Sequence, residues 1–262
     1  MQECLAFLKT HLTHGYLELK TSFEAMKQFN CTFWDIEDLA LKNGILPMRY
    51  KRNQHTLSTH DQYSLFESHV AIVGCGGLGG LVAEMLTRLG VGSLTLIDGD
   101  TFEEHNLNRQ NFSSIATLGR YKADVVQESL ESINPALKAF SYPLFLSLPT
   151  HENLLHAANV IVDALDNPSL KSTLAQWAKE HQKSFVHGAI AGYYTQCATN
   201  QTLETLYHTP QEGAETKLGN LAFTANFAAA IQSAEVLKIL LNKPHLTHPL
   251  MGDLWDYELV HL

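Results

Sequence analysis

From residue 69 onward, short apolar runs alternate with longer stretches of helical period, and this alternation constrains the fold more than any other feature of the chain. The runs VAIVG (70–74), LTLID (94–98), 137–142, VIVDAL (160–165), SFVHGAI (184–190) and LWDYELV (254–260) read as strands. Between them, 78–89, 119–133, 168–180 and the long run ending at 241 read as helices, the second stopped by Asn134-Pro135. Strands separated by helices make βαβ units on a parallel sheet. The expected architecture is therefore α/β: a Rossmann-like, doubly wound, mostly parallel sheet with helices on both faces. The first 46 residues differ, being helical by period with no strand-like alternation. There Thr21-x-x-Glu24 reads as a capping box ahead of Met26 and Phe29, and Asp35, Ile36, Leu39 and Ala40 lead to a C-cap at Asn43-Gly44. The expected division is a helical appendage over 1–46, a basic connector over 47–66 that carries Arg49, Lys51 and Arg52, and a main domain over 67–262.

A chain of 262 residues can bury one large core, or one core plus a small appendage. Apolar residues make up 45% and charged residues 17%, which suits a globular protein and excludes disorder. The formal charge of −9 leaves no general basic footprint, so no nucleic-acid partner is expected. The opening MQECLAFLKTHLTHGY lacks the basic start and long apolar run of a signal peptide. The apolar stretch 221–241 carries Asn226, Gln232, Glu235 and Lys238, which hydrocarbon would resist, so it reads as a buried helix and no membrane association is expected. Cys4, Cys31, Cys75 and Cys197 are widely spaced and form no CxxC pair, so a structural zinc is not expected. Reduced thiols in a cytoplasmic protein are the expectation.

Three constellations carry chemistry. The first is Gly74-Cys75-Gly76-Gly77-Leu78-Gly79, after a strand and before a helix. Glycines there let the backbone turn tightly and approach a phosphate, whose charge is met by free N–H groups and the helix dipole. The same glycines would also serve a plain tight turn. Asp98, nineteen residues past Gly79 at the end of the next strand, has the spacing of an acid on ribose hydroxyls, and taken alone this pair suggests NAD.

The second constellation favours a more highly charged ligand. Arg109 lies eleven residues past Asp98, Lys122 opens the next helix and Arg52 sits upstream, so three cations could converge where strand C-termini meet helix N-termini. A triphosphate benefits from guanidinium forks and an ammonium, whereas a pyrophosphate can be bound largely by loop amides. The third is Asp163-Ala-Leu-Asp166-Asn167-Pro168. Asn167 serves as N-cap with Pro168 at the first helical position, and Asp166 remains as a carboxylate suited to Mg²⁺ beside a phosphate.

The set R49-Y-K-R-N53, G74-C-G-G-L-G79, L96-I-D-G-D100, N106-L-N-R-Q110, Lys122 and D163-A-L-D-N167 closely resembles the ThiF/MoeB/HesA superfamily of E1-like adenylating enzymes, over roughly residues 47–262 and in the family's order. The resemblance implies an ATP-binding adenylation domain over 67–262. Its ATP-binding set would be Gly74, Gly76, Gly77, Leu78, Gly79, Asp98, Asp100, Asn106, Arg109, Gln110, Lys122, Asp166 and Asn167. In it, Asn106, Arg109 and Lys122 would face the phosphates, Gln110 would support the loop, Asp98 would bind ribose and Asp166 would help hold Mg²⁺. Arg52 would cross a two-fold interface into the partner's site, which implies a homodimer. Many relatives bind zinc through two CxxC pairs and carry a catalytic cysteine in the crossover loop before the last long helix. This chain has neither, since 202–217 contains no cysteine.

The reading that follows is ATP-dependent adenylation of a carboxylate with release of pyrophosphate, the favoured substrate being the Gly-Gly C-terminus of a ubiquitin-like sulfur carrier. Alternatives are a small-molecule or peptide carboxylate within the same superfamily, an NAD(P)-dependent oxidoreductase, and a non-catalytic nucleotide-bound scaffold. Cys75 reads as a small loop residue and Cys197 as buried packing. His187 reads as a core histidine bonded to backbone.

Overall fold

A computed structural model describes residues 1–200 and 215–262. The N-terminal part comprises α1 (Gln2–Thr10), β1 (Tyr16–Leu17), α2 (Leu19–Phe29), α3 (Phe33–Lys42) and β2 (Leu46–Pro47). A 3₁₀ turn (Met48–Asn53) and α4 (Thr59–Phe66) follow. The main domain runs β3 (His69–Val73), α5 (Gly79–Leu89), β4 (Ser93–Ile97), α6 (Lys122–Ile133), β5 (Lys138–Tyr142), β6 (Val160–Asp163), α7 (Pro168–Glu180), β7 (Ser184–Ala191), β8 (Tyr194–Thr199), α8 (Glu215–Leu218), α9 (Ala222–Leu240), β9 (Leu250–Asp253) and β10 (Glu258–His261).

The strands form one sheet in the order β10-β9-β8-β7-β6-β3-β4-β5. The five strands from β7 to β5 in that order are mutually parallel, and β8, β9 and β10 add antiparallel. Alternation within β3 explains why the sheet needs cover on both sides. Val70 and Ile72 pack with α5, α6 and α9 on one face, while Ala71 and Val73 pack with α7 on the other. The expected doubly wound sheet is therefore the one found. Strand order reverses between β3 and β6, and in such sheets the crevice beyond the strand C-termini at that reversal takes the ligand.

Several expected boundaries move, each for a local reason. Helix α2 begins at Leu19, so Thr21 lies inside it and turns its hydroxyl to the His11 carbonyl at 3.5 Å instead of capping with Glu24. Capping boxes form instead at Thr32 with Asp35 and at Ser58 with Asp61. Gly119 takes a left-handed φ of 82° and its N–H donates to the Phe102 carbonyl, so α6 starts at Lys122 rather than at residue 119. The expected strand over 254–260 is a hairpin turn followed by β10. Asp253 accepts the Trp255 N–H at 2.8 Å and Tyr257 adopts φ 59°, which breaks the alternation that LWDYELV displays.

The N-terminal helices bury their own small core around Leu8, Leu17, Ile36 and Ile45. A further cluster of Phe33, Leu41, Tyr50 and Phe66 joins α3, the 3₁₀ turn and α4 to Ala136 of the main domain. Residues 47–66 thus fold against both parts. Among the described residues, no helix is long and apolar enough to cross a membrane.

Candidate active site

The glycine loop closes on itself where β3 gives way to α5. Gly74 has φ 94°, and a Cβ there would lie 2.6 Å from the Ala164 carbonyl oxygen of the loop after β6. A Cβ on Gly79 would lie 1.7 Å from the Gly74 carbonyl oxygen. Both obstacles are backbone, so neither can yield cheaply. Gly79→Ala is expected to destabilise the fold by about 1–3 kcal/mol or more and to abolish stabilisation by nucleotide. Thermal denaturation with and without ATP checks both, and an unchanged melting temperature would refute the close approach.

The middle of the loop faces residues 109 and 110. A Cβ on Gly77 would meet Arg109 Cγ at 3.4 Å, and one on Gly76 would meet Gln110 Nε2 at 3.3 Å. Helix α5 has Leu78 as its N-cap with no side-chain cap; the Gly80 N–H donates to the Gly76 carbonyl at 3.1 Å, and the other N–H groups of the first turn are available to a ligand. Asn106 builds the turn that carries Arg109: its Oδ1 accepts the Glu103 N–H at 2.9 Å, and its carbonyl accepts the N–H groups of Arg109 and Gln110 at 3.1 and 3.0 Å. Asn106 is buried, and its carboxamide oxygen is taken up by this turn. The Arg109 guanidinium is held at 2.9 Å by Asn108 Oδ1. Gln110 is buried with Oε1 unpartnered, directly behind the glycine loop.

Asp98 closes β4 and ties the loops together. Its carboxylate accepts the Cys75 N–H at 2.7 Å and the Asp100 N–H at 2.8 Å. Burial pushes this carboxyl up, against the lowering effect of those two N–H groups and of Lys122. Lys122, the first residue of α6, is buried and donates to the exposed Asp100 carboxylate at 3.1 Å. Asp100 therefore holds the ammonium in place, and an incoming phosphate would compete with it for that charge.

Beyond β6, Asn167 caps α7 by accepting the Leu170 N–H at 3.1 Å, and Asp166 stands exposed beside it. The loop is anchored from beneath by a buried cluster that the sequence reading did not assemble. Asp163, fully buried, accepts from His187 Nδ1 at 2.6 Å, from the Leu165 N–H at 3.0 Å and from Lys171 Nζ at 3.4 Å. Lys171 also donates to the Gly188 carbonyl at 3.1 Å, and Gln232 Nε2 donates to the Asp163 carbonyl at 3.0 Å. His187 is thus a core histidine with a carboxylate on its Nδ1. The available signal was an acid closing an apolar strand, with a lysine eight residues on that falls on the inner face of the next helix.

Arg52 does not join the other two cations within one chain. The neighbouring Asn53 donates to Gln62, which donates to the Leu89 carbonyl, and the Tyr50 ring lies against Gly90. These contacts put the 3₁₀ turn at the C-terminal end of α5, about 16 Å of helix away from the glycine loop at its start. Within one chain Arg52 therefore lies at the opposite end of α5 from the glycine loop that Arg109 faces. Cys75 and Cys197 are both buried, and burial pushes both thiols up, which disfavours the reactive thiolate. The cysteine-free stretch 202–217 lies, up to residue 214, outside the described residues.

Tyr193, Phe223 and Trp255 were also missed. They meet at ring-centroid separations of 5.8 and 5.0 Å around a cavity of about 460 Å³, completed by Leu254 and Tyr257. The β7–β8 turn, the start of α9 and the β9–β10 turn bring them together at the same sheet edge as the glycine loop.

Known proteins resemble the chain in sequence and in fold. The chain is 33% identical over 132 residues to the tRNA threonylcarbamoyladenosine dehydratase of Haemophilus influenzae, an alignment covering 50% of this chain and 51% of that protein. It is 29% identical to the sulfur carrier protein adenylyltransferase of Thermus thermophilus, over 75% of this chain and 77% of the relative. Against the first of these the chain spans about half of the relative's length. The crystal structure of E. coli MccB with ATP superposes with a TM-score of 0.71 at 20% identity, covering 92% of this chain and 81% of that one, which is a likeness of fold. The model of the ThiF family matches residues 50–262, the whole span from the 3₁₀ turn to the last strand, and the chain belongs to that family.

Proposed function

We propose that the protein is an ATP-dependent adenylyltransferase that activates a carboxylate as an acyl-adenylate. The observation that carries this reading is the placement of Arg109 against Gly77, at the uncapped start of α5 and at the sheet's reversal point. A phosphate chain laid there meets free N–H groups, the helix dipole and a guanidinium together. Lys122 adds an ammonium from the next helix. The attacking carboxylate is already ionised at neutral pH and needs no strong base. One of its oxygens bonds to the α-phosphorus while the bond from that phosphorus to the β-phosphate's bridging oxygen breaks and pyrophosphate leaves. The chain's own residues supply charge relief and an in-line pose.

Asp98, tied to both the glycine loop and residue 100, would accept from the ribose hydroxyls. Mg²⁺ fits the remaining donor. The Ala164 backbone touches Gly74, so the loop bearing Asp166 borders the glycine loop, and Mg²⁺ binds through one or two carboxylates plus phosphate oxygens. When bound there, it would neutralise phosphate charge. The favoured substrate is the Gly-Gly end of a ubiquitin-like sulfur carrier, supported by the Thermus relative. The aromatic cavity beside the site offers apolar surface to the part of the substrate behind its carboxylate.

Thermal shift tests the nucleotide without knowledge of the substrate. ATP with Mg²⁺ at a hundredfold excess over its Kd is expected to stabilise the protein by about 2.7 kcal/mol. A shift with NAD and none with ATP would sink the adenylation reading and return the glycine loop to an oxidoreductase.

A further inference from the structure

Asn108 is exposed, yet both ends of its carboxamide are committed. Its Oδ1 accepts from Arg109 Nη1 at 2.9 Å, and its Nδ2 donates to the Asn220 carbonyl at 3.1 Å. These partners fix its orientation, because a guanidinium only donates and a carbonyl only accepts. The two segments it joins both border the glycine loop: a Cβ on Gly77 would lie 3.4 Å from Arg109 Cγ and 3.8 Å from Ala225 Cβ in the first turn of α9. Asn220 stands two residues before α9 and bridges to Gly192 of the β7–β8 turn. From these same two segments come Tyr193 and Phe223, which line the aromatic cavity. One exposed side chain thus spans from the arginine at the glycine loop to the wall of that cavity.

The start of α9 does not need Asn108 for its attachment. The Gly192 N–H donates to the Gly219 carbonyl at 2.7 Å, and the buried Thr224 donates its hydroxyl to the Gly192 carbonyl at 2.8 Å. Nor is the segment fully satisfied, since Asn220 Oδ1 is buried and, among the described residues, accepts no hydrogen bond. A buried acceptor without a donor is costly, so a ligand that brings a donor is favoured there. The arginine end has capacity as well. Beyond its bonds to Asn108 and to the His105 carbonyl at 3.4 Å, the Arg109 fork has no protein acceptor among the described residues.

We infer that Asn108 is a positioning residue whose carboxamide couples the phosphate-facing Arg109 to the start of α9, the edge over which the carboxylate substrate enters. The inference rests on the adenylation reading. When phosphate oxygens take the remaining donors of Arg109, the plane of the guanidinium is fixed, and Asn108 passes that restraint to the Asn220 carbonyl. A ligand that orders one end of such a link lowers the entropic cost of ordering the other. Asn108 touches no reacting atom; it acts through Arg109 on one side and Asn220 on the other.

Amide hydrogen exchange of the full-length protein, with and without ATP–Mg²⁺, tests this without knowledge of the carboxylate. In the wild type, ATP is expected to slow amide exchange in the glycine loop and, by about fivefold, at residues 219–224. Asn108→Asp keeps an acceptor for Arg109 but cannot donate to Asn220, and Asn108→Ala removes both contacts. At ATP concentrations that saturate the loop, both variants are expected to keep its protection and to lose the effect at 219–224. Without ATP, amide exchange at 219–224 is expected to match the wild type, because the bonds through Gly192 remain. Faster exchange there before ATP is added would show mere attachment and overturn the inference. It would also be overturned by an ATP effect at 219–224 that persists in Asn108→Asp, or that is missing from a wild type whose loop is protected. Loss of loop protection in both variants would place Asn108 in nucleotide binding alone, against the coupling. A wild-type loop that ATP never protects would overturn the adenylation reading itself, and the inference with it.

Discussion

Arg109→Ala is expected to lower the rate of ATP–pyrophosphate exchange by about 10²–10³-fold, the usual loss when one preorganised donor to transition-state charge is removed, equivalent to about 2.7–4 kcal/mol. The reason is local. Arg109 is held by Asn108 and by the turn that Asn106 builds, so its guanidinium is in place before ATP arrives and needs no reorganisation as charge develops. Lys122 cannot replace it, because its ammonium is a point donor already shared with Asp100, whereas a guanidinium forks to two oxygens. Arg109→Lys should therefore recover only part of the rate. Stability in the absence of nucleotide should be unaffected, since Arg109 is only half-buried and has no carboxylate partner among the described residues. Wild-type exchange in the Arg109→Ala protein, with any carboxylate substrate that supports exchange in the parent, would remove Arg109 from the mechanism.

Asp163→Ala is expected to have the largest effect on stability, about 3–5 kcal/mol, the range for breaking a buried ion pair from one side. Lys171 would be left as an unpaired buried ammonium, and both His187 and the Leu165 N–H would lose their acceptor. Because Leu165 lies next to Asp166, the loss should also loosen the loop proposed to hold Mg²⁺, raising the Mg²⁺ concentration needed for exchange. The same cluster sets a pH dependence. Burial alone would raise the Asp163 carboxyl, but the Lys171 charge and the His187 hydrogen bond outweigh it and hold the group below the usual carboxylate range. Burial, reinforced by the Lys171 charge, holds His187 below the usual imidazole range. Both groups bind fewer protons folded than unfolded, so both contributions are full above the unfolded values and are lost on acidification. The His187 share is expected to fall away first, as pH drops below about 6.5, and the Asp163 share below about 4. Melting temperatures measured from pH 8 down to pH 4 should decline in that order, and His187→Gln should flatten the upper step. A melting temperature that rises as pH falls from 7 to 5 would contradict the assignment of a neutral buried His187.

The main domain was legible wherever the signal was local. The short apolar runs between 70 and 190, the glycine loop between strand and helix, and Asn167-Pro168 at the start of α7 each depend on residues close in sequence, and each stands where it was expected. The reading failed where a nearby alternative had equal local support. Leu254, Trp255 and Tyr257 suggest a strand, yet Asp253 can cap a turn with its own carboxylate, and pairing of β9 with β8 decides between the two. Thr21 and Glu24 have capping spacing, yet the helix is already under way at Leu19.

The sequence by itself determined the class of fold and the place of the glycine loop between strand and helix, because these follow from periodicity and glycine's conformational freedom. It did not determine which charges meet. Asp163, Lys171 and His187 come from a strand end, a helix and the neighbouring strand, and only the order β3-β6-β7 brings them into one dry cluster. Arg52 and Arg109 look equivalent as cations near a nucleotide motif, and only the packing of Tyr50 against Gly90 separates them by the length of a helix. Coulomb attraction and desolvation depend on distance and burial, which are properties of the folded chain.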